Sequence, residues 1–441
     1  MKKLIALALA VVMVLSLGAC SVQKAETPAP TAAPAPAATE AAAPAAPEAA
    51  AAPVEISLWT YPIGDWGNEE AVNALLADFN AAYPNIKVTV EYLAYGGDGD
   101  NKVASAIESH TTPDIVMEGP ERLVANWGAR GVMLDLADLW TEEAKADIYP
   151  AVQAACVTDS GAYYEYPLCT TAHTMAINKT VFEETGAMQY IDQETRTWST
   201  ENFFKAVQTL YDAGYENVLA IFCNGSGGDQ GTRALINNLY NGTFANEEHT
   251  AYTFASEENI KALEALIAQP GIHIDAGING GGEADTFAKG QLLIATCWNA
   301  GNESARREAM EANGVIPYPV NFPTNDGEVK LCNGIWGFGI FDNGDAARAE
   351  AAKTFVKWAC DENTDACVKA SKFFSVRASH ADTSSDYSMF LPNMADYYAV
   401  TPGWTDVRTA YAEMLQAIGT GTPVAEAVAA FDTAAQAAAA G

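Results

Sequence analysis

Positive charge is scarce in this chain: 24 Lys and Arg stand against 56 Asp and Glu in 441 residues, a formal net charge of -32. That balance argues against nucleic acid as a partner, because phosphate binding needs a positive footprint. Strongly anionic ligands are disfavoured as well, unless a local basic pocket gathers some of the few cations. Histidine is rare, with 5 in the whole chain, and no H-E-x-x-H is present. No C-x-x-C pair exists, so zinc ribbons and thioredoxin-like redox motifs are unsupported. Ser226 has Asn224 where a nucleophile elbow needs Gly. The Gly225 to Gly231 cluster lacks the last Gly of a dinucleotide loop, and no G-K-[S/T] is present. Asp98-Gly99-Asp100-Asn101 opens like a calcium loop, yet its last ligand position is Ser109 rather than Glu. Neither a cofactor nor a metal is therefore expected. A glycoside hydrolase, which needs paired carboxylates, stays open only because 56 acids make any such pair uninformative.

What is present begins with Lys2 and Lys3, then an apolar run from Leu4 to Leu17. At roughly 14 residues the run suits a secretory signal and falls short of the roughly 20 a membrane span needs. No later stretch is long and apolar enough to span. Leu17-Gly18-Ala19-Cys20 looks like a bacterial lipobox, whose cysteine is diacylated and becomes the mature N-terminus; a plain signal peptide with a chance cysteine is the alternative. Two acyl chains give the double anchor that stable membrane attachment requires. From Ser21 to Pro53 the composition collapses to Ala, Pro, Thr and Glu, which cannot bury enough apolar surface to offset ordering entropy. The expected boundaries are a signal peptide over 1–19 and a lipidated tether over 20–53. The tether is either a leash lifting the domain off the membrane or a linker with no length requirement. Beyond Cys20, Cys156, Cys169, Cys223, Cys297, Cys332, Cys360 and Cys367 make an odd set, so at least one thiol is free. Cys360 and Cys367 lie about 10 Å apart along a helical pattern, too far to bridge. Most of these cysteines read as small buried apolar residues.

From Val54 onward short strands alternate with helices. Glu55 to Trp59 reads as a strand, Val72, Leu75, Leu76 and Phe79 as a helix face, and Ile86, Val88, Val90 and Tyr92 as a second strand. Pro113 to Met117 reads as a third strand, buried. The β-α-β order predicts a mainly parallel sheet with helices on both faces, and ligand beyond the carboxyl ends of its strands. A second series follows from about Met175. It holds a helix capped by Ser199, strands over Val218 to Phe222 and Gln291 to Cys297, a strand crossing back over Leu331 to Phe341, and a helix over Val424 to Ala440.

The ordered set Phe79-x-x-x-Tyr83-Pro84-Asn85-Ile86, Pro113-Asp114-Ile115-Val116, Gly131-x-x-Leu134-Asp135-Leu136, Tyr166-Pro167, Ile177-Asn178-Lys179, Thr197-Trp198-Ser199-x-x-Asn202-Phe203 and Phe287-Ala288-Lys289-Gly290, followed by Trp298, carries a resemblance. It resembles the extracellular solute-binding proteins of family 1, the sugar-receiving subunits of bacterial ABC importers related to maltose-binding protein. The resemblance covers Val54 to the C-terminus. It implies the two-lobed α/β periplasmic-binding-protein fold of type II, with three hinge crossings and a ligand cleft between lobes that close on the solute. The crossings fall near Thr170–Thr174, Val329–Trp336 and Ser375–Ala378. They divide the chain into an N-lobe, 54–171 and 331–376, and a C-lobe, 172–330 and 377–441. It further implies a sugar or oligosaccharide ligand, ABC permease subunits as partners, and a monomer held outside the cytoplasm on the cell membrane by acylated Cys20. Alternatives are a receptor for a non-sugar solute such as a polyol or glycerol phosphate, a surface glycoside hydrolase, and an adhesin.

A pyranose offers C–H faces to aromatic rings and hydroxyls to planar polar groups. Tyr61, Asp65 and Trp66 follow the first strand and are candidates by position; a solvated loop is the plainer reading. Glu118, Glu121 and Arg122 follow the third strand, and in maltose-type relatives this stretch supplies an acid-arginine pair that holds hydroxyls. Acids favoured by a helix N-terminus are the alternative there. Thr171 and His173 lie at the first crossing, where a structural histidine is equally open. Asn224 and Asp229 lie in a glycine-rich loop that admits close approach of a ligand. Trp298 ends a strand where family members commonly stack a sugar, with core packing as the alternative. Trp336 at the second crossing and Trp404 before a late helix complete the aromatic candidates. Arg377, at the third crossing, is either a hinge salt bridge or a ligand contact.

Overall fold

The computed structural model describes residues 52–94, 97–158, 160–395 and 400–440. The expected signal segment, the expected lipidation at Cys20 and nearly all of the expected tether lie outside the described residues. Among the described residues eleven strands are present: β1 (Val54–Thr60), β2 (Ile86–Tyr92), β3 (Ile115–Glu118), β4 (Tyr166–Ala172), β5 (Thr174–Asn178), β6 (Leu219–Phe222), β7 (Ile272–Asp275), β8 (Ile294–Trp298), β9 (Pro317–Val320), β10 (Asn333–Ile340) and β11 (Phe374–Ser375).

The first sheet has the order β11-β4-β10-β3-β1-β2. β1 is parallel to β2 and β3, whereas β10 is antiparallel to both β3 and β4, and β11 antiparallel to β4. The sheet is therefore mixed, not mainly parallel. The reason is the route of the chain: it leaves this sheet at Ala172 and returns at Asn333, which pairs with Ala172, so β10 must run back the other way. In the second lobe β5 is antiparallel to β8 and β9, while β6 and β7 are parallel. The Val218 carbonyl accepts from the Leu293 and Ile294 N–H groups, both at 3.0 Å, and ties the two pieces together.

Local signals explain the helices around these sheets. Asn68 caps helix Glu69–Ala82 by accepting from the Ala71 N–H, and Ser199 caps helix Thr200–Asp212 by accepting from the Asn202 N–H. The first helix buries Val72, Leu75, Leu76 and Phe79; the Phe79 ring centroid lies 5.1 Å from that of Phe355 and 5.2 Å from that of Trp358. Two separate apolar cores result. One gathers residues between Ile56 and Cys169 and between Ile335 and Val376, the other residues between Ala172 and Cys332 and from Phe374 to Ala435. All seven described cysteines are buried. Among the described residues no helix is long and apolar enough to cross a membrane.

The chain changes core first between β4 and β5, with only His173 between them. The His173 N–H donates to the Cys332 carbonyl at 2.9 Å, so the first and second crossings are bonded to each other. Around the third crossing the two cores interleave, Phe374 packing in the second and Val376 in the first. Arg377 is fastened inside the first lobe by the Asp361 carboxylate and the Tyr166 hydroxyl, and Ser379 donates its N–H to Asp147 at 2.8 Å. Tyr387, whose hydroxyl joins Trp298 and Glu303, belongs to the second core.

Candidate functional site

A cleft of about 890 Å³ lies between the two cores. Its first wall comes from the helix Gly97–Ser109 and the segment after β3, and its floor from the crossings. The Ser226–Arg233 segment and the start of helix Trp404–Gly419 make the opposite wall.

On the first wall, β3 ends at Glu118 and the chain turns through Gly119 into a short helix beginning at Pro120. That turn brings Arg122 back onto Glu118, its Nη1 donating at 2.8 Å. The same guanidinium grips Asp100 with two bonds, Nε to Oδ1 at 3.0 Å and Nη2 to Oδ2 at 3.2 Å. The Tyr61 hydroxyl donates to Asp100 at 3.0 Å, and its ring lies 5.4 Å beneath the Arg122 guanidinium. Burial pushes the Glu118 carboxyl above the usual range, Glu121 adds to the rise, and Arg122 opposes it. Behind them Glu165 is fully buried, and among the described residues neither of its oxygens has a hydrogen-bond partner. Burial and the neighbouring Glu121 and Glu118 raise its carboxyl well above the usual range, so it is held as the neutral acid.

The floor carries His173, Asn333, Gly334 and Trp336. His173 meets Gln230 and Asn299; burial lowers its pKa to about 4, Arg233 reinforcing this, so the imidazole is neutral at pH 7. Asn333 is buried, yet among the described residues neither its amide nitrogen nor its carbonyl oxygen has a partner. Trp336 stacks on Phe373 with ring centroids 4.5 Å apart and planes at 11°. Its ring lies over Gly334, where a Cβ would come within 2.5 Å of the indole, so only glycine admits this placement.

On the opposite wall Asp229 sits between two guanidiniums, at 3.3 Å from Arg233 Nη2 and 2.9 Å from Arg408 Nη2. Trp404 lies against both, 4.6 Å from the Arg233 carbon and 5.9 Å from that of Arg408. Asp229 is buried behind them and does not itself line the cleft. Among the described residues no group of three or more His, Cys, Asp or Glu is arranged to hold a metal ion.

Of the sequence candidates, the structure brings Glu118, Glu121, Arg122, His173, Trp336 and Trp404 to the cleft. The others lie elsewhere. The loop after β1 folds onto the first core: the Trp66 indole N–H donates to the Cys367 carbonyl at 3.1 Å, and Asp65 pairs with Lys372 at 2.6 Å on the surface. Tyr61 supports the cleft from behind. Thr171 is buried within β4, and Asn224 is exposed and donates to the Gly277 carbonyl. Trp298 is fully buried, edge-on to Phe287 at 4.9 Å, with its N–H donating to the Tyr387 hydroxyl at 2.7 Å. Core packing, the alternative for Trp298, is what the structure shows. Arg377 takes the salt-bridge alternative, within one lobe. Asp100, Arg233, Asn333 and Arg408 were not among the candidates. The alternation of Asp229, Arg233 and Asn237 at helical spacing beside the glycine-rich loop was the signal available for Arg233.

The family model for bacterial extracellular solute-binding proteins matches residues 65–362. An ABC transporter extracellular-binding protein of Pyrococcus horikoshii is 28% identical over 123 residues, which are 27% of this chain and 28% of that relative. Among solved structures, the cyclic alpha-maltosyl-1,6-maltose binding protein of Arthrobacter globiformis superposes with a TM-score of 0.71 at 20% identity, covering 88% of this chain and 99% of that one. UgpB of Mycobacterium tuberculosis in complex with glycerophosphocholine gives 0.70 at 19% identity, covering 87% and 98%. A solute-binding protein of Agrobacterium radiobacter in complex with ribitol gives 0.66 at 18% identity, covering 88% and 99%. These likenesses establish the two-lobed fold of the maltose-binding type.

Proposed function

The chain belongs to the bacterial extracellular solute-binding protein family, and from that membership we propose that its cleft captures a sugar, oligosaccharide or polyol for delivery to an ABC importer permease. The observation that carries the reading is the cleft floor. Asn333 presents both a donor and an acceptor with no partner among the described residues, beside the stacked indole of Trp336. A buried amide left unpaired costs about 1–3 kcal/mol, and a ligand hydroxyl that both accepts and donates removes that cost. Trp336 and Trp404 offer ring faces for C–H surfaces, while Glu121 and Arg122 offer planar partners for hydroxyl pairs. The volume of about 890 Å³ falls within the range of small-molecule sites.

Family members are binding proteins, and the carboxyls here serve recognition rather than hydrolysis. Ligand closes the lobes around the bonded crossings. The Leu17–Cys20 sequence supports acylation at Cys20 and retention on the outer side of the cell membrane, with the Ala/Pro-rich segment as tether. A sugar and polyol panel read by thermal shift tests the reading. A micromolar ligand at 100-fold excess over Kd adds about 2.7 kcal/mol of stability. No shift across the panel, or release of reducing sugar from an oligosaccharide, overturns it.

A further inference from the structure

An indole has two faces, and on Trp336 the protein covers one of them. Phe373 lies flat against it, with ring centroids 4.5 Å apart and planes at 11°. Both rings are half-buried and pack against the first core. The backbone of Phe373 is fixed in the same lobe: its N–H donates to the Ser371 hydroxyl at 3.2 Å, and the next residue, Phe374, pairs with Thr170 of β4. The far edge of the Phe373 ring meets the other lobe. A Cβ on Gly301 would come 3.3 Å from Phe373 Cε1 and 3.8 Å from its Cζ, so the ring edge lies against Gly301. Gly301 stands in the first turn of helix Ala300–Asn313, and Ala300 packs against the second core. Asn299, which caps this helix, has its amide nitrogen 3.4 Å from His173 Nδ1 at the first crossing. Phe373 is therefore rooted in one lobe, rests on the other, and is stacked on an indole of the cleft floor.

We propose that Phe373 is a positioning residue: it sets the plane in which Trp336 meets the solute and, through Gly301, makes that plane depend on how the two lobes sit. The proposal rests on the sugar and polyol reading above and adds to it a residue that does not itself line the cleft. Without its cover the indole gains rotamer freedom, which a solute must then remove on binding. A hinge rotation moves Gly301 relative to Phe373, so ring, indole and lobe placement change together. The absence of a side chain at Gly301 is what lets the ring come this close. A methyl group there has to push the ring by a few tenths of an ångström, and the stack delivers that push to the indole.

The test titrates maltotriose, cellotriose, xylotriose and ribitol into the full chain and into Phe373→Leu, Trp336→Ala, the double variant and Gly301→Ala. For whichever of the four the parent binds, Phe373→Leu should weaken binding about two- to tenfold, the worth of a stacked aromatic pair. In the Trp336→Ala background the same substitution should cost less than about twofold, because its effect passes through the indole. The change in tryptophan emission on adding the solute should shrink in Phe373→Leu as it does in Trp336→Ala. Ala favours a helix more than Gly does, so Gly301→Ala should hold or raise the unliganded melting temperature while binding several-fold more weakly. If Trp336→Ala binds too weakly to titrate, the emission change and Gly301→Ala decide. Parental affinity in Phe373→Leu, or an equal loss with and without Trp336, overturns the positioning role and leaves the sugar and polyol reading standing. Parental affinity in Gly301→Ala overturns the link to the second lobe. Binding of none of the four by the parent overturns the sugar and polyol reading and this role with it.

Discussion

Replacing Trp298 and Trp336 in turn should separate packing from recognition. Trp298 is fully buried against Phe287, and its N–H bonds to Tyr387, another residue of the second core. Trp298→Ala opens a cavity and removes that bond, a loss of about 3–5 kcal/mol for a large aromatic. In a lobe of ordinary domain size this lowers the melting temperature by roughly 10 °C. Trp336 is only half-buried and rests on Phe373. Trp336→Ala removes a stacked pair worth about 0.5–1.5 kcal/mol, hence a few degrees. It should cost about 2 kcal/mol of ligand affinity, or about 30-fold. Calorimetric melting of the unliganded variants, followed by titration with a ligand found in the panel, reads both quantities. A Trp298→Ala protein that melts within a degree or two of the parent but no longer binds would refute the core assignment and return Trp298 to the site.

Asn333→Ala should leave the unliganded melting temperature unchanged or raise it, because a buried unpaired amide is removed, while affinity falls about tenfold; a lower melting temperature with unchanged affinity would make Asn333 structural. Glu165 and Glu283 should make stability fall as pH rises. Burial holds the Glu165 proton well above the usual range and lifts Glu283 to about 7 despite three hydrogen bonds from Thr296 and Cys297. The unfolded chain releases those protons near 4.5, so the stabilisation is complete below that pH and is lost as pH climbs through the folded values. The opposite contribution of His173 is complete above 6.5 and is lost only as pH falls toward 4. Glu165→Gln should therefore flatten the fall measured by denaturant above about pH 4.5, by up to about 1.4 kcal/mol per pH unit; parallel profiles would mean that Glu165 is ionised in the folded state. Cys20→Ala should release the protein from membranes with its ligand affinity intact, and equal membrane retention would exclude the lipid anchor.

Most of the strand and helix order was legible because it rests on local rules: alternation in β2, the helical repeat from Val72 to Phe79, and the Ser199 cap. Glu121, Arg122, Trp336 and Trp404 could be picked out by residue type and position at strand ends or crossings. Trp66 and Trp298 satisfied the same criteria and lie in cores. Their hydrogen-bond partners, the Cys367 carbonyl and the Tyr387 hydroxyl, are 301 and 89 residues away, a separation no local pattern encodes. Asn333, Arg233 and Arg408 escaped notice for the converse reason: each is one polar side chain in an ordinary strand or helix. Only the meeting of two lobes puts them on a common surface. The direction of β10 was hidden likewise, since it depends on where a chain returning after 160 residues re-enters its sheet.

That late return governs how the molecule is assembled. β10 fills the middle of the first sheet, pairing Gly337 with Glu118 on one side and Asn333 with Ala172 on the other. Until residues beyond 340 exist, β3 and β4 each present a bare edge, and no contiguous stretch of the chain is a finished lobe. Pairings across such sequence distances must close large loops before they contribute, which slows folding. A fragment ending before Asn333 should therefore aggregate through those edges rather than behave as half a receptor. A chain destined for export gains from the same wiring, because it stays threadable until almost all of it has been made.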